Sequence, residues 1–341
     1  MRIAWGAALA ASVSLLLAGC ASTGAPTSSA PNAQSPLQAG LVKEVTGAGA
    51  FTHLEELQRI ADQNGGNRAT PSPGYDASVD YVARVLREAG YEVSTPTFTF
   101  ERDGGPQGSA RNVIAQTRTG NAEHVVFAGA HLDSVPEGPG INDNGSGVAS
   151  LLEIATRLGG SPQVANAVRF GFWGLEEEDL NGSTAYVEGL SRAERDKIGL
   201  YLNVDMVSSP NAGYFVQAGE ESESESDSPP ESSAVSRVLT DQLGNTGINP
   251  QLVGFDGGSD FVPFVDARIP TLGVMTGDAG TKSPKQAEQW GGRAGEVFDK
   301  CYHQSCDRLD NIDRPALDRF SDALAGSLAH FASSAEVPAQ R

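Results

Sequence analysis

Charged side chains follow three apolar, β-rich runs of the chain, at the point where each run ends. His131 and Asp133 lie just past HVVFA, and four acidic residues follow AVRFGFWG at 167–174. Asp205 ends the run GLYLNVD. Short runs of β-branched and aromatic residues bounded by glycine and polar residues are typical of buried strands. Because open α/β sheets bind ligands at the carboxyl ends of their strands, we expect these side chains to line one crevice.

The stretch after the first of these runs has the composition of a metal-binding loop. Asp143 lies in GPGINDNGSG, which interrupts helix and strand patterns before SGVASLLEIATRL starts a helix. Imidazole and carboxylate together suit zinc, and Asp133 can accept the second ring N–H of His131 and fix its tautomer. A solvated polar turn would have the same composition, so this stretch alone leaves both interpretations open.

The other two strand ends carry acidic residues whose negative charge must be compensated. Asp205 lies in an apolar run, where an ionised carboxylate requires a partner, either a cation or a structural salt bridge. Like carboxylates crowded at a strand end are costly unless a cation compensates them, although an acidic run can also be a solvated face. The crowded acids are Glu176, Glu177, Glu178 and Asp179.

Strands and helices alternate along the chain, which predicts the fold class. Three strand-like runs, YEVSTPTFTF, RNVIAQT and HVVFAGA, precede the helix at 146–158 and the strand at 167–174. This order predicts an α/β, three-layer sandwich with a central mixed, mostly parallel β-sheet covered by helices on both faces. The spacing of Val79, Val82, Ala83 and Leu86 predicts a further helix that ends at Gly90 and is capped by Asp76 or Ser78. A closing helix is predicted from Pro315 to Phe331.

The beginning of the chain has the composition of an export signal. Residues 1–20, MRIAWGAALAASVSLLLAGC, have one basic residue and an apolar core too short for a membrane span. LAGC resembles a lipobox, which implies cleavage before Cys20 and lipidation of its thiol; an ordinary secretory signal is the alternative. Residues 21–37 then form a flexible tether and 336–341 a tail. We expect an exported protein, either anchored at the cell surface or secreted.

Charge limits the partners that this chain can have. Its formal net charge of −19 argues against nucleic acid, because a phosphate backbone would be repelled. The acidic, low-complexity stretch at 219–233 predicts a surface loop. We expect a monomer that contacts a membrane only through a lipid at Cys20.

One histidine near the C-terminus completes a candidate ligand set. His303 lies beside Tyr302 and between Cys301 and Cys306, which can pair in an oxidising compartment and would then hold both side chains in a compact turn. Two imidazoles and three carboxylates can hold two zinc ions if one carboxylate bridges, which leaves one glutamate free as a base. No HExxH motif is present. The set is His131, Asp143, Glu176, Glu177, Asp205 and His303.

With these residues, the chain resembles the zinc aminopeptidases of peptidase family M28, including their secreted Streptomyces-type branch. The resemblance begins near residue 50 and implies one catalytic domain at 38–335, in which 219–233 is an insertion. It also implies hydrolysis of the N-terminal peptide bond, with a preference for large apolar residues such as leucine. The matching motifs, in order, are NGGNRA, GAHLDS, GINDNGSG, FWGLEE, YLNVDM, QWGG, CYHQSCD and LDNI.

The resemblance implies a role for each matching residue. His131 and Asp205 would hold one zinc ion, Glu177 and His303 a second, and Asp143 would bridge them. Asp133 would orient His131, Glu176 would be the general base and Tyr302 would donate to the oxyanion. Glu176, Asp205 and the main chain of Gly258, which stands where the family pattern has an arginine, would bind the substrate amine. The Asp143–Asn144 peptide would be cis, and Asp318, Asp322 and Glu44 would bind calcium.

Other functions remain compatible with these motifs. A family relative with different chemistry, such as a carboxypeptidase or a cyclase, would use one zinc ion or a differently charged pocket. A non-catalytic surface lipoprotein would keep the fold as a binding module, although such a protein would be expected to lose ligands. Cobalt or manganese could occupy the same ligands as zinc.

Overall fold

The computed structural model describes residues 34–101, 107–219, 231–255 and 257–334. The expected signal with Cys20, the tail and residues 220–230 of the acidic stretch lie outside these residues. Two predicted boundaries shift at the edges of the described part. The first helix begins at Pro36, so the end of the expected tether is helical, and another begins at Glu231, so residues 231–233 are helical rather than loop.

An eight-stranded mixed sheet forms the middle layer. Its four central strands run parallel, and antiparallel pairings occur towards both edges. The strands in spatial order are β1 (Glu92–Ser94), β4 (Val113–Gln116), β6 (Asn166–Trp173), β5 (Asn121–His131), β7 (Ile198–Val204), β10 (Thr271–Met275), β8 (Phe215–Gln217) and β9 (Gln251–Val253).

A separate two-stranded sheet contains β2 (Thr97–Phe100) and β3 (Gly108–Arg111). The run YEVSTPTFTF was expected to be one strand, but it is divided between the two sheets. Pro96 lies at the division, and proline has no N–H to donate to a ladder, which explains why the strand ends before it.

Helices surround the sheet. None in the described ranges is long and apolar enough to cross a membrane. They are α1 (Pro36–Glu44), α2 (Gly47–Gln63), α3 (Pro73–Glu88), α4 (Gly145–Leu158), α5 (Asn181–Gly189), α6 (Arg192–Arg195), α7 (Glu231–Asn245), α8 (Val262–Asp266), α9 (Pro284–Trp290) and α10 (Arg314–Ser333), with a 3₁₀ turn at Leu309–Asn311.

The central strand β5 buries both of its faces. Val126 and Ala128 belong to the larger core, to which α2, α3, α4, α7 and α10 contribute. Val125 and Phe127 point to the opposite face and pack with Val187 of α5 and with α8. This alternation follows from the two-residue period of a strand. The sheet is therefore covered on both sides, and the predicted three-layer α/β fold is confirmed.

The predicted cap of α3 was wrong by one turn. Asp76 lies in the first turn of the helix and Ser78 lies beyond it, so neither is the N-cap. Ser72 is the N-cap, and its hydroxyl accepts the N–H of Tyr75 at 3.1 Å, with Pro73 in the first helical turn. Serine before proline is a strong helix start, because the hydroxyl satisfies one N–H and proline lacks another.

Candidate metal centre and active site

Three parallel strands bring the candidate ligands to one edge of the sheet. His131, the last residue of β5, pairs in register with Trp173, the last residue of β6. β7 ends at Val204, directly before Asp205, whose N–H donates to the carbonyl of Val274 at 3.1 Å. The loops after these strands therefore converge, as expected from the sequence. They line a cavity of about 140 Å³.

Asp143 lies between the two histidines. Its Oδ1 is 3.2 Å from Nε2 of His131, and its Oδ2 is 3.2 Å from Nε2 of His303. The carboxylate thus presents one oxygen to each imidazole. The Asp143–Asn144 peptide is cis.

Each histidine has a further carboxylate partner. Oδ1 of Asp205 lies 3.4 Å from Nε2 of His131, and Oε2 of Glu177 lies 2.9 Å from Nε2 of His303. Donor atoms lie within 4.8 Å of one another in two overlapping groups: His131 with Asp143 and Glu177, and His131 with Glu176 and Asp205. The structure therefore brings together all six residues collected from the sequence.

Asp133 contacts both His131 and the segment that carries Glu176. Nδ1 of His131 is 3.2 Å from the main-chain carbonyl of Asp133 and 3.7 Å from its carboxylate. That carboxylate accepts the N–H of Glu176 at 3.2 Å. The main-chain carbonyl of Asp133 is therefore the closer acceptor for the imidazole, whereas the carboxylate positions the glutamate.

Asp205 is held by a buried chain of hydrogen bonds. Ser259 donates to Oδ2 of Asp205 at 2.6 Å and accepts from the Asn203 amide at 2.8 Å. Tyr201 donates to Asn203 at 3.0 Å and accepts from the Trp173 indole at 2.9 Å. These hydrogen bonds orient the hydroxyl groups of Ser259 and Tyr201. Oδ2 of Asp205 is occupied by Ser259, and Oδ1 remains free to face His131.

Two buried side chains fix the segment before the cis peptide. The buried carboxylate of Asp307 accepts the N–H groups of Asn142 and Asp143 at 2.8 and 3.0 Å. Arg68, also fully buried, donates to the main-chain carbonyls of Leu132, Pro139 and Gly140. A carboxylate that must face two partners needs a rigid backbone, and these two residues supply it.

A disulfide closes the turn that carries His303. Cys301 and Cys306 are bonded, as expected from the sequence. The rings of Tyr302 and His303 stack with their centroids 3.9 Å apart. Burial and the surrounding carboxylates raise the pKa of Tyr302 above its usual range, so that its hydroxyl is protonated at neutral pH and can donate.

The crowded acids raise one another's pKa. Burial raises the pKa of Glu176 well above its usual value, and the charges of Asp260 and Asp205 add to this. Burial and Asp143 raise the pKa of Glu177 to about 7. Hydrogen bonds to Asp143 and Glu177 raise the pKa of His303 to about 10. The crowded acids and His303 thus bind protons more tightly than free side chains do, which is the response of such a group when no cation compensates its charge.

The donor set fits divalent zinc. Among the described residues, neither Oε1 of Glu177 nor Oδ1 of Asp205 has a hydrogen-bond partner, although both atoms are buried and belong to acids that face an imidazole. A buried carboxylate oxygen without a donor is costly, and a cation between these groups would compensate it. Mixed imidazole and carboxylate ligands suit zinc. These residues therefore fit the metal that the sequence predicted.

The sequence did not identify several of the residues that support or line the site. Ser259 and Asp307 are separated from their partners by many residues and could be found only through the fold. Gly258, expected at the substrate amine, lines the cavity. The remaining lining includes Met206, Gln217, Met275 and Asp278.

The expected calcium ligands are not among the residues that line the cavity. Asp318 accepts the N–H of Gly47 at 2.7 Å through Oδ1. Burial and the charge of Asp318 raise the pKa of Asp322 to about 6. Within the described ranges, no group of three close donors includes these acids or Glu44.

The chain is similar to known proteins over most of its length. Residues 112–328 match the model of peptidase family M28. The chain is 43% identical over 295 residues to leupeptin-inactivating enzyme 1 of Streptomyces exfoliatus, covering 85% of this chain and 63% of that relative, so it spans less than two thirds of that protein. It is 35% identical to "Probable lipoprotein aminopeptidase LpqL" of Mycobacterium tuberculosis, covering 91% of this chain and 90% of the relative.

A solved structure shares the fold. The aminopeptidase from Aneurinibacillus sp. strain AM-1 superposes with a TM-score of 0.70 at 16% identity, over 89% of this chain and 98% of that chain.

Proposed function

The chain belongs to peptidase family M28, and we propose that it is a zinc-dependent aminopeptidase that hydrolyses the N-terminal peptide bond of peptides. The position of Asp143 between His131 and His303 carries this proposal. A carboxylate that offers one oxygen to each of two imidazoles is the arrangement needed to bridge two metal ions.

We assign the ligands by these contacts. His131 and Asp205 would hold one zinc ion, His303 and Glu177 the other, with Asp143 shared. Zinc bound there would supply Lewis acidity, which polarises a carbonyl and lowers the pKa of water.

Glu176 acts as the general base in this proposal. It adjoins the ligand Glu177 in the chain, and its carboxylate lies within 4.8 Å of donor atoms of His131 and Asp205. Its raised pKa suits a group that takes a proton from attacking water and returns it to the leaving amine. The hydrogen bond from its N–H to Asp133 fixes the segment that presents it.

Tyr302 and the carboxylates orient the substrate. The protonated phenol of Tyr302 donates to the oxyanion that forms on the carbonyl, which is the usual function of such donors. The free amine of the substrate binds between Glu176, Asp205 and the main chain of Gly258, all of which line the cavity. Carboxylates at this position select for an ammonium group, so cleavage starts at the N-terminus.

The cavity wall supports a preference for large apolar N-terminal residues such as leucine. Met206 and Met275 line it beside the ligands. Methionine side chains are flexible and polarizable, so they adapt to apolar side chains of different shape.

Two further features extend the proposal beyond the site. A calcium ion bound by Asp318 and Asp322, with Glu44, would relieve the repulsion between the two aspartates. A lipid at Cys20 would anchor the exported protein, which is consistent with the M. tuberculosis relative being named a probable lipoprotein.

The test compares substrates that differ in the amine alone. The purified protein should hydrolyse leucine 4-nitroanilide but not N-acetyl-leucine 4-nitroanilide. Faster hydrolysis of the acetylated substrate, or cyclisation of an N-terminal glutaminyl peptide without leucine release, would overturn the aminopeptidase assignment in favour of a relative with different chemistry.

A further inference from the structure

We propose that Asp278 makes the substrate pocket selective for basic N-terminal side chains, so that lysine is a better substrate than its uncharged analogue norleucine. The inference rests on the proposed aminopeptidase function and adds a second substrate class to it. Asp278 lines the cavity together with Met275 and Tyr302, but it belongs to neither donor group.

Asp278 lines the cavity, and no lysine or arginine within the described ranges pairs with its carboxylate. Its Oδ1 accepts the N–H of Gly280 at 2.8 Å, in the turn that follows β10. The cavity lining contains no lysine or arginine, and its two histidines make their ion-pair contacts with other acids. The charge of Asp278 is therefore available to a substrate.

The turn that carries Asp278 is rigid. The carbonyl of Asp278 accepts the N–H of Asp299 at 2.8 Å, and that of Gly280 accepts the N–H of Phe298 at 2.9 Å. Gly277 has φ +96°, and a Cβ there would lie 2.5 Å from the Phe298 ring, so this position requires glycine. A carboxylate held this way loses little conformational freedom when it binds a cation.

The pocket also fits the apolar stem of a basic side chain. Lysine buries its methylene groups against apolar surface and keeps its ammonium with polar partners. Met206 and Met275 provide that apolar surface, and Asp278 provides the partner. An uncharged side chain of the same length would displace water from the carboxylate of Asp278 without offering it a new hydrogen bond or charge, which is unfavourable.

The test measures kcat/KM for the 4-nitroanilides of lysine, norleucine and leucine with the zinc-loaded enzyme and with Asp278→Asn. We expect the lysine-to-norleucine ratio to fall about tenfold in the variant, the effect of one partly buried ion pair. Hydrolysis of norleucine 4-nitroanilide by Asp278→Asn also shows that the variant has folded. Glu123→Gln is the control for the loss of an exposed carboxylate away from the cavity. Glu123 lies eight residues before His131, at the other end of β5, and pairs with Lys197 at 2.8 Å.

The outcomes separate this inference from the proposed function. A reduced ratio in Asp278→Asn, with the wild-type ratio kept in Glu123→Gln, supports the role of Asp278. An unchanged ratio in Asp278→Asn, with leucine and norleucine still hydrolysed, overturns the inference and leaves the aminopeptidase function intact. If the zinc-loaded wild type hydrolyses none of the three substrates, the proposed function fails, and this inference fails with it.

Discussion

The carboxylate of Asp143 presents Oδ1 to His131 and Oδ2 to His303, each at 3.2 Å. The two imidazoles come from positions 172 residues apart in the chain, so this relationship depends on the whole fold. Asp307 and Arg68 fix the adjacent backbone. We therefore regard Asp143 as the residue that couples the two halves of the site.

Replacing Asp143 by asparagine tests this coupling. The amide keeps one acceptor oxygen and loses the other, so bound zinc should fall from two ions per chain to about one. Hydrolysis of leucine 4-nitroanilide should fall at least about a hundredfold, since even residues that only support ligands cost 10–100-fold. Elemental analysis and kinetics on the same sample measure both effects. Asp179→Asn, an exposed acid near the site, serves as the control, and two tightly bound zinc ions in Asp143→Asn would contradict the bridging role.

Glu176→Gln tests whether Glu176 acts as the general base rather than as a metal ligand. Glutamine has the same size but cannot accept a proton, so turnover should fall by about 10²–10⁴-fold while both zinc ions stay bound. The measurement pairs kcat with zinc content. Glu137→Gln, in the exposed part of the loop between Asp133 and Asp143, should behave like the wild type. Near-normal turnover of Glu176→Gln would exclude Glu176 as the base.

Ser259→Ala tests the hydrogen-bond chain behind Asp205. Without the serine hydroxyl, Oδ2 of Asp205 loses its donor at 2.6 Å and the carboxylate can rotate. Zinc affinity, measured by competition with a chromogenic chelator, should fall about 10–100-fold. Ser327→Ala is a close control, because the hydroxyl of Ser327 is also buried but has no hydrogen-bond partner in the part of the chain that the structure describes. Equal zinc affinity in the two variants would mean that Ser259 does not position Asp205.

Asp322 makes stability depend on pH when calcium is absent. Burial and Asp318 raise its pKa from 3.8 to about 6, so the folded state binds this proton more tightly than the unfolded state. Its contribution to stability is therefore lost as pH rises from about 4 to about 6, and the loss is complete above that. At pH 7 in calcium-free, zinc-supplemented buffer, Asp322→Asn should be more stable by about 1 kcal/mol, after allowance for its half-exposed position.

Thermal unfolding at pH 4 and pH 7, with and without calcium, tests this prediction. The advantage of Asp322→Asn should disappear near pH 4, and calcium should stabilise the wild type but not the variant. Asp241→Asn, an exposed aspartate on α7, should respond to calcium as the wild type does. Equal stabilisation of Asp322→Asn by calcium would remove Asp322 from the proposed calcium site.

The sequence was sufficient to predict those parts of the site whose position depends on the order of the strands. His131 ends a parallel strand, and Glu176, Glu177 and Asp205 follow the ends of two others. Parallel neighbours must end at the same edge of the sheet. The pattern of buried runs therefore predicted both the layers and the convergence of these charges. His303 was found by its place between two cysteines and by the family resemblance.

The supporting contacts were beyond sequence reasoning because they depend on exact distances between remote loops. Ser259 lies 54 residues from Asp205 and in a run without a strong pattern. Asp307 was visible only as the residue after Cys306, with no sign that it binds the N–H groups of Asn142 and Asp143. The cap of α3 was misplaced for a local reason, since several serine and aspartate residues near its start compete as caps.

The most direct test of the account is the zinc dependence of leucine 4-nitroanilide hydrolysis. The protein is stripped with a strong chelator, the chelator is removed, and zinc is added back in steps while activity and bound metal are measured on one sample. Activity should be lost on stripping and should reach its plateau at about two zinc ions per chain. Full activity in the metal-free protein, or a plateau at one ion per chain, would contradict a site in which Asp143 bridges two ions.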